Sequence, residues 1–253
     1  MRIFFIGVVL IIFSYSSLCA QNYFGKVTYK KEFSNHLLDT TSENSLYKRN
    51  KRVYNKIWET ESEAKKILDE LRFELRFRPN ESLFSVQSNL KLEDDFYYGF
   101  AIGPYGSRIY YSNFEKNEFL TSVEAYGELF LIKGNKPNWE ITSEIKNING
   151  YTCYKALTSQ VMKNKGKNVK SEIIAWFSLD IPVPFGPLGY VGLPGLILEL
   201  EVGKVKFIMS KIELNPRKQI NFNRPNKGLS ITKKQFEEIG TKTMADFKKS
   251  IEN

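Results

Sequence analysis

Hydrophobic residues recur at every second position in segment after segment of this chain, and that spacing steers it towards a sheet. Successive side chains of a strand point to opposite faces, so a period of two marks a strip with one buried side. Val27, Tyr29, Lys31 and Phe33 share one side against Thr28, Lys30 and Glu32, giving a face that is apolar except for one lysine. Phe73, Leu75 and Phe77 alternate with Arg72, Glu74, Arg76 and Arg78. Arg108 to Phe114 and Glu118 to Val123 flank Glu115-Lys-Asn117, the layout of a hairpin. Further strands are predicted over Glu128–Lys133, Trp139–Ile145, Cys153–Val161, Ser171–Leu179, Leu196–Val202 and Phe207–Leu214. Such a succession is a meander. The fold class is therefore mainly β: a curved antiparallel sheet or half-open barrel with one or two amphipathic helices packed on it.

Two segments break the rhythm. Ala64, Ile67, Leu68 and Leu71 fall at spacings of three and four, which predicts a short amphipathic helix from Glu61 to Leu71. A second helix is predicted after Thr232, where Thr232 and Gln235 have capping-box spacing and Phe236, Ile239, Phe247 and Ile251 follow. Gly240 weakens that helix, and Thr241 and Thr243 are candidate interruptions. Both helices read as lids on a sheet. The polar stretch from Asn35 to Lys56 reads as a mobile surface loop or irregular strands.

The start of the chain has the three parts of a secretory signal peptide. Arg2 supplies positive charge, Ile3 to Phe13 is apolar with one glycine, and small or polar residues lead to Ala20 and Gln21. A membrane anchor needs about 20 predominantly apolar residues, and this run turns polar at Ser14. Residues 1–20 are expected to be removed, leaving residues 21–253 as one β-rich domain without a transmembrane segment, exported to the periplasm or cell surface. A lipid-modified Cys19 is the competing reading, with Ser16, Ser17 and Leu18 in the wrong order for it. Cleavage leaves Cys153 as the single cysteine, so no intramolecular disulfide can form and packing must stabilise the domain. Between aromatic neighbours, Cys153 reads as a buried small hydrophobe.

The net charge of +9 becomes +8 once Arg2 leaves with the leader. The basic residues are dispersed beside acids, so nucleic acid is not an expected partner. Lys163, Lys165, Lys167 and Lys170 form the densest basic run, a solvated hairpin tip or a contact for lipopolysaccharide or another polyanion. Reaction chemistry finds little footing. His36 is the only histidine, and no phosphate loop, nucleophile elbow or Cys-x-x-Cys occurs. Glu93, Asp94 and Asp95 lack the alternating ligands of a calcium loop and read as a solvated turn. Glu199 and Glu201 share one strand face, as a carboxylate pair or a solvent face would. No catalytic residue, metal site or cofactor is assigned.

The distinctive stretch is rich in proline and glycine. Ile181, Pro182, Pro184, Gly186 and Pro187 lead into Gly192-Leu-Pro-Gly-Leu-Ile197, that is Gly192, Leu193, Pro194, Gly195, Leu196 and Ile197. Pro194 and Gly195 occupy the central positions of a type II turn, whose third residue needs positive φ. This predicts an architectural corner at the start of a strand, with a contact loop as the alternative. The segment closely resembles the GLPGLI family of exported bacterial proteins, as do Trp139-Glu-Ile, Asn149-Gly-Tyr-Thr-Cys-Tyr-Lys-Ala156 and the leader. The resemblance implies a periplasmic or surface protein of the Bacteroidetes with no established activity, and carries over no catalytic residues. The leading expectation is a non-enzymatic binding or interaction module of the cell envelope, its partner an envelope protein. The alternatives are a carrier of a lipid or other apolar ligand, and an unrecognised enzyme. An open apolar lumen would favour the carrier; a closed core with an exposed aromatic patch would favour the interaction module.

Overall fold

The computed structural model describes residues 23–33, 40–164 and 167–252. The leader with Cys19, and His36, lie outside the described residues. Among the described residues, twelve strands form one sheet, in the order β12-β6-β5-β4-β3-β2-β1-β11-β10-β9-β8-β7. They are β1 (Gly25–Phe33), β2 (Phe73–Arg78), β3 (Glu81–Val86), β4 (Ile109–Asn113), β5 (Glu118–Ala125), β6 (Glu128–Lys133), β7 (Glu140–Ile148), β8 (Tyr151–Asn164), β9 (Lys167–Ser178), β10 (Leu196–Val202), β11 (Val205–Leu214) and β12 (Leu229–Thr232). The sheet stays open, with β7 and β12 at its edges. Neighbours pair antiparallel except β12, which runs parallel to β6.

Alternation sorts the side chains as the sequence predicts. Val27, Tyr29, Phe73, Leu75 and Phe77 are fully buried in the main core, joined by Phe207 and Leu200 across the register. The opposite face of β3 to β6 is covered too. Leu83, Tyr111, Leu120 and Leu131 pack against Phe222, from the segment between β11 and β12. The Arg78 guanidinium lies 4.4 Å from the Phe222 ring centre and donates to the Phe222 carbonyl at 3.2 Å.

The helices depart most from the sequence reading. The stretch taken for a loop or irregular strands contains α1 (Thr40–Arg49) and most of the first half of α2 (Lys51–Glu70), so the helix predicted from Glu61 begins ten residues earlier. Asn50 caps α2, its side chain accepting from the Val53 N–H at 3.2 Å. The apolar stripe does continue upstream through Trp58 and Tyr54, but Glu61 interrupts it. That carboxylate is buried at a core-facing position, with Lys65 at 3.4 Å. Ala64, Ile67 and Leu68 deliver α2 to the main core as a lid.

Two further helices follow: α3 (Leu90–Glu93) is a single turn of good helix formers, whereas α4 (Tyr98–Gly106) comes from a glycine-rich stretch of low helix propensity and is broken at Gly103 (φ 53°). The last helix, α5 (Lys233–Glu252), starts with the predicted capping box: Gln235 Oε1 accepts from the Thr232 N–H at 2.8 Å, and Thr232 Oγ1 accepts from the Gln235 N–H at 3.3 Å. Contrary to expectation the helix runs on through Gly240, Thr241 and Thr243. The threonine hydroxyls donate back to the Glu237 and Ile239 carbonyls. A Cβ on Gly240 would lie 2.6 Å from the Tyr126 hydroxyl, so that glycine serves a close approach.

Candidate functional site

The proline and glycine loop lies inside the fold. Between β9 and β10 the chain runs in an extended course with a 3-10 turn at Pro187–Gly189. Ile181, Val183, Phe185, Val191 and Leu193 are buried, while Pro182, Gly192 and Pro194 face outward. Loops normally stay at the surface because their backbone groups need partners. Here those partners are supplied within the loop. Gly192 N–H donates to the Pro184 carbonyl at 2.9 Å, Leu196 N–H to Ile181 at 2.9 Å and Ile197 N–H to Phe185 at 3.0 Å. The buried Tyr29 hydroxyl donates to the Ile197 carbonyl at 2.6 Å. Phe185 packs between Phe77 and Phe114, with ring centres 6.2 and 5.6 Å away.

The glycines act differently from the turn predicted at Leu193-Pro-Gly-Leu196. Positive φ falls on Gly192 (96°) and Gly189 (73°), and Gly195 is not among the positive-φ residues. Gly195 is held to glycine by proximity: a Cβ there would stand 2.0 Å from the Ser178 carbonyl oxygen, where β10 starts beside the end of β9. Gly186 plays the same part against Ile197, whose side chain would lie 2.6 Å from its Cβ. Leu188 holds φ at 56° while buried, a strained conformation for a branched side chain that the packing around it enforces. Ile181, Pro182, Pro184, Gly186 and Pro187 thus join Gly192–Ile197 in one plug over the sheet. Tyr190, the loop's only titratable side chain after Asp180, is pushed further from ionisation by burial.

The lysine noted on the apolar face of β1 is buried, at 2% exposure. Its Nζ donates to the Ala101 and Ile102 carbonyls at 3.0 and 2.5 Å, where α4 breaks at Gly103. A cation suits the carbonyl end of a helical turn. Burial lowers the Lys31 ammonium to about 8, and among the described residues no carboxylate pairs with it. Lys31 therefore fastens α4 to the sheet.

The carboxylates have structural partners. Glu93 accepts from Ser88 Oγ at 2.8 Å and the Asn89 N–H at 3.1 Å, and Asp95 accepts from the Tyr97 N–H at 2.7 Å. Glu199 is buried, between Lys146 at 2.8 Å and Lys206 at 3.5 Å, and Lys206 also reaches Glu201. Lys146 lies 4.2 Å from the Trp176 ring centre. Cys153 is buried, and desolvation raises its thiol to about 11, although Lys146 works against the shift. Among the described residues no three His, Cys, Asp or Glu side chains cluster as a metal site would require.

Large apolar side chains appear outside as well. Leu90, Phe96 and Phe100 are 76%, 75% and 54% exposed around α3 and α4. Phe96 packs edge-on against Tyr97, whose hydroxyl donates to Glu59 of α2 at 2.8 Å. Two open grooves of about 730 and 720 Å³ flank α2 and the start of β7. Among the described residues, no helix is long and apolar enough to cross a membrane.

The fold is thus an open, mainly antiparallel sheet plugged by its own proline and glycine loop. Residues 158–199 match the model of a family described as a protein of unknown function (Porph_ging), a stretch that takes in the outer part of the β8–β9 hairpin and the whole loop. No curated protein matches the chain by sequence. Two solved structures of PNGF-II, in the P21 and C2 space groups, are similar at 15% and 17% identity with TM-scores of 0.47 and 0.46. They cover 86% and 83% of this chain, which itself spans 32% and 31% of theirs.

Proposed function

We propose that the chain is an exported cell-envelope protein of the GLPGLI family of Bacteroidetes and acts as a non-enzymatic interaction module. One observation carries the reading. The apolar face of the sheet, where a carrier would hold its ligand, is filled by Ile181–Ile197 and α2, while Phe96, Phe100 and Leu90 turn apolar surface to solvent. A closed core with an exposed aromatic patch suits docking to another protein. The loop's burial supports an architectural role for the Gly192–Ile197 motif, and the matched family stretch contains that motif.

The test places a photo-reactive residue at Phe96 in cells that export the chain, with the exposed Lys218 position as control. A discrete protein adduct from position 96 alone is the expected result. Acyl species retained by the purified chain in native mass spectrometry, without such an adduct, would replace this reading with the carrier.

A further inference from the structure

The hairpin of β8 and β9 outruns its neighbours. Its two strands pair without a register shift from Tyr154↔Phe177 to Asn164↔Lys167. Pairing of β7 with β8 begins at Glu140↔Leu157, and β10 leaves β9 at Val202↔Ile173. Residues beyond those points form a two-stranded arm with no further strand beside it among the described residues. Every second residue of an antiparallel strand turns its N–H and C=O to the same side. The edge of β8 past Leu157 therefore presents donors and acceptors in line with β7.

This edge is also walled. The chain before β7 peels away, and Pro137, Asn138 and Trp139 face Leu157, Thr158 and Ser159 across the open groove of about 720 Å³. The wall is fixed, because the Trp139 indole N–H donates to the Val191 carbonyl at 2.9 Å and its ring meets Tyr190 edge-on. The buried loop thus sets one side of the groove. By contrast, the edge strand β7 is itself irregular: its pairing with β8 shifts register between Ile141 and Ile145, and a bulged edge strand is a poor template for strand addition.

We propose that this slot binds an extended peptide segment of a partner protein by strand addition to β8, with the peptide's acidic residues towards the tip of the arm. The inference rests on the interaction-module reading and gives it a surface and a partner chemistry. The charge follows from the arm: Lys163, Lys167 and Lys170 lie towards its tip, and Glu172 and Glu140 at its inner end. Excess lysine favours an acidic occupant over a second copy of the same arm. Backbone pairing supplies affinity, and a row of unpaired peptide groups suits a strand better than a lipid.

Hydrogen exchange of the full mature chain tests the slot, with an octapeptide of alternating glutamate and valine as probe and its lysine counterpart as control. The acidic peptide is expected to slow exchange at Thr158–Val161 amides that face the slot by about tenfold, an effect weakened by salt. The variant Lys170→Glu, at an exposed position, is expected to lower the affinity about threefold. Protection confined to Glu140–Ile148, an equal response to the lysine peptide, or no protection by either overturns the proposal. So does peptide-free protection at Thr158–Val161 caused by self-association or by phosphatidylglycerol vesicles. If the slot fails while the Phe96 adduct forms, only the slot is lost; if the adduct is also missing, the interaction-module reading falls with it.

Discussion

Substituting Gly195→Ala tests whether the buried loop is architecture. The new methyl would sit 2.0 Å from the Ser178 carbonyl oxygen and 2.6 Å from its carbon, both backbone atoms fixed in β9. Carbon contacts settle near 3.5 Å, so the start of β10 has to move by roughly 1.5 Å. Overpacking of this kind costs about 1–3 kcal/mol. The movement also strains the bond from the Leu196 N–H to the Ile181 carbonyl at 2.9 Å. A net hydrogen bond is worth about 1 kcal/mol, which brings the total to about 3 kcal/mol. For a domain of this size each kcal/mol shifts the melting midpoint by about 2–4 °C, so a fall of about 6–12 °C is expected. The control is Gly99→Ala, where a Cβ meets nothing within 4 Å. Thermal unfolding followed by circular dichroism reads both. An unchanged midpoint for Gly195→Ala refutes the steric argument, and loss of a partner without loss of stability would make the loop a contact site.

Lys31 gives a pH signature. Its ammonium falls from 10.5 to about 8 on folding, so the unfolded chain binds the extra proton between those values and Lys31 contributes most stability once pH exceeds both. Urea unfolding of the parent and Lys31→Met from neutral pH to about pH 10 should show the parent gaining about 2.5 kcal/mol relative to the variant; a constant difference would show that Lys31 does not titrate in this window. The buried Tyr29, Tyr110 and Cys153, all raised, are common to both proteins and cancel. Cys153 should resist a bulky thiol reagent until denaturant is added, and rapid native labelling contradicts its burial. Trp139→Phe, which leaves the Val191 carbonyl without its donor, should cost about 1 kcal/mol in urea unfolding, and no loss means that the bond at 2.9 Å is replaced by water. Amino-terminal sequencing of the exported protein should begin near Gln21; an intact Met1 rejects cleavage.

The sequence determined what rests on local spacing. The strands Glu128–Lys133 and Leu196–Val202 have the bounds that alternation predicts, the capping box at Thr232 forms, and Lys31 is visible as the one charge on an apolar strip. These features depend on neighbours two to four residues apart. Tertiary structure decided the rest. Gly195 reads as a turn residue because proline and glycine adjoin, yet its need for glycine comes from Ser178, brought alongside by strand pairing. The strand Leu229–Thr232 joins Glu128–Lys133 in parallel across about a hundred residues, a pairing that no local pattern encodes. The helix from Lys51 was hidden because a carboxylate, Glu61, occupies a core-facing turn and breaks the apolar stripe, and the fold buries it there with Lys65 at 3.4 Å. The projecting arm is of the same kind: alternation marks two strands, but only the places where their neighbours leave them decide which backbone edge stays free.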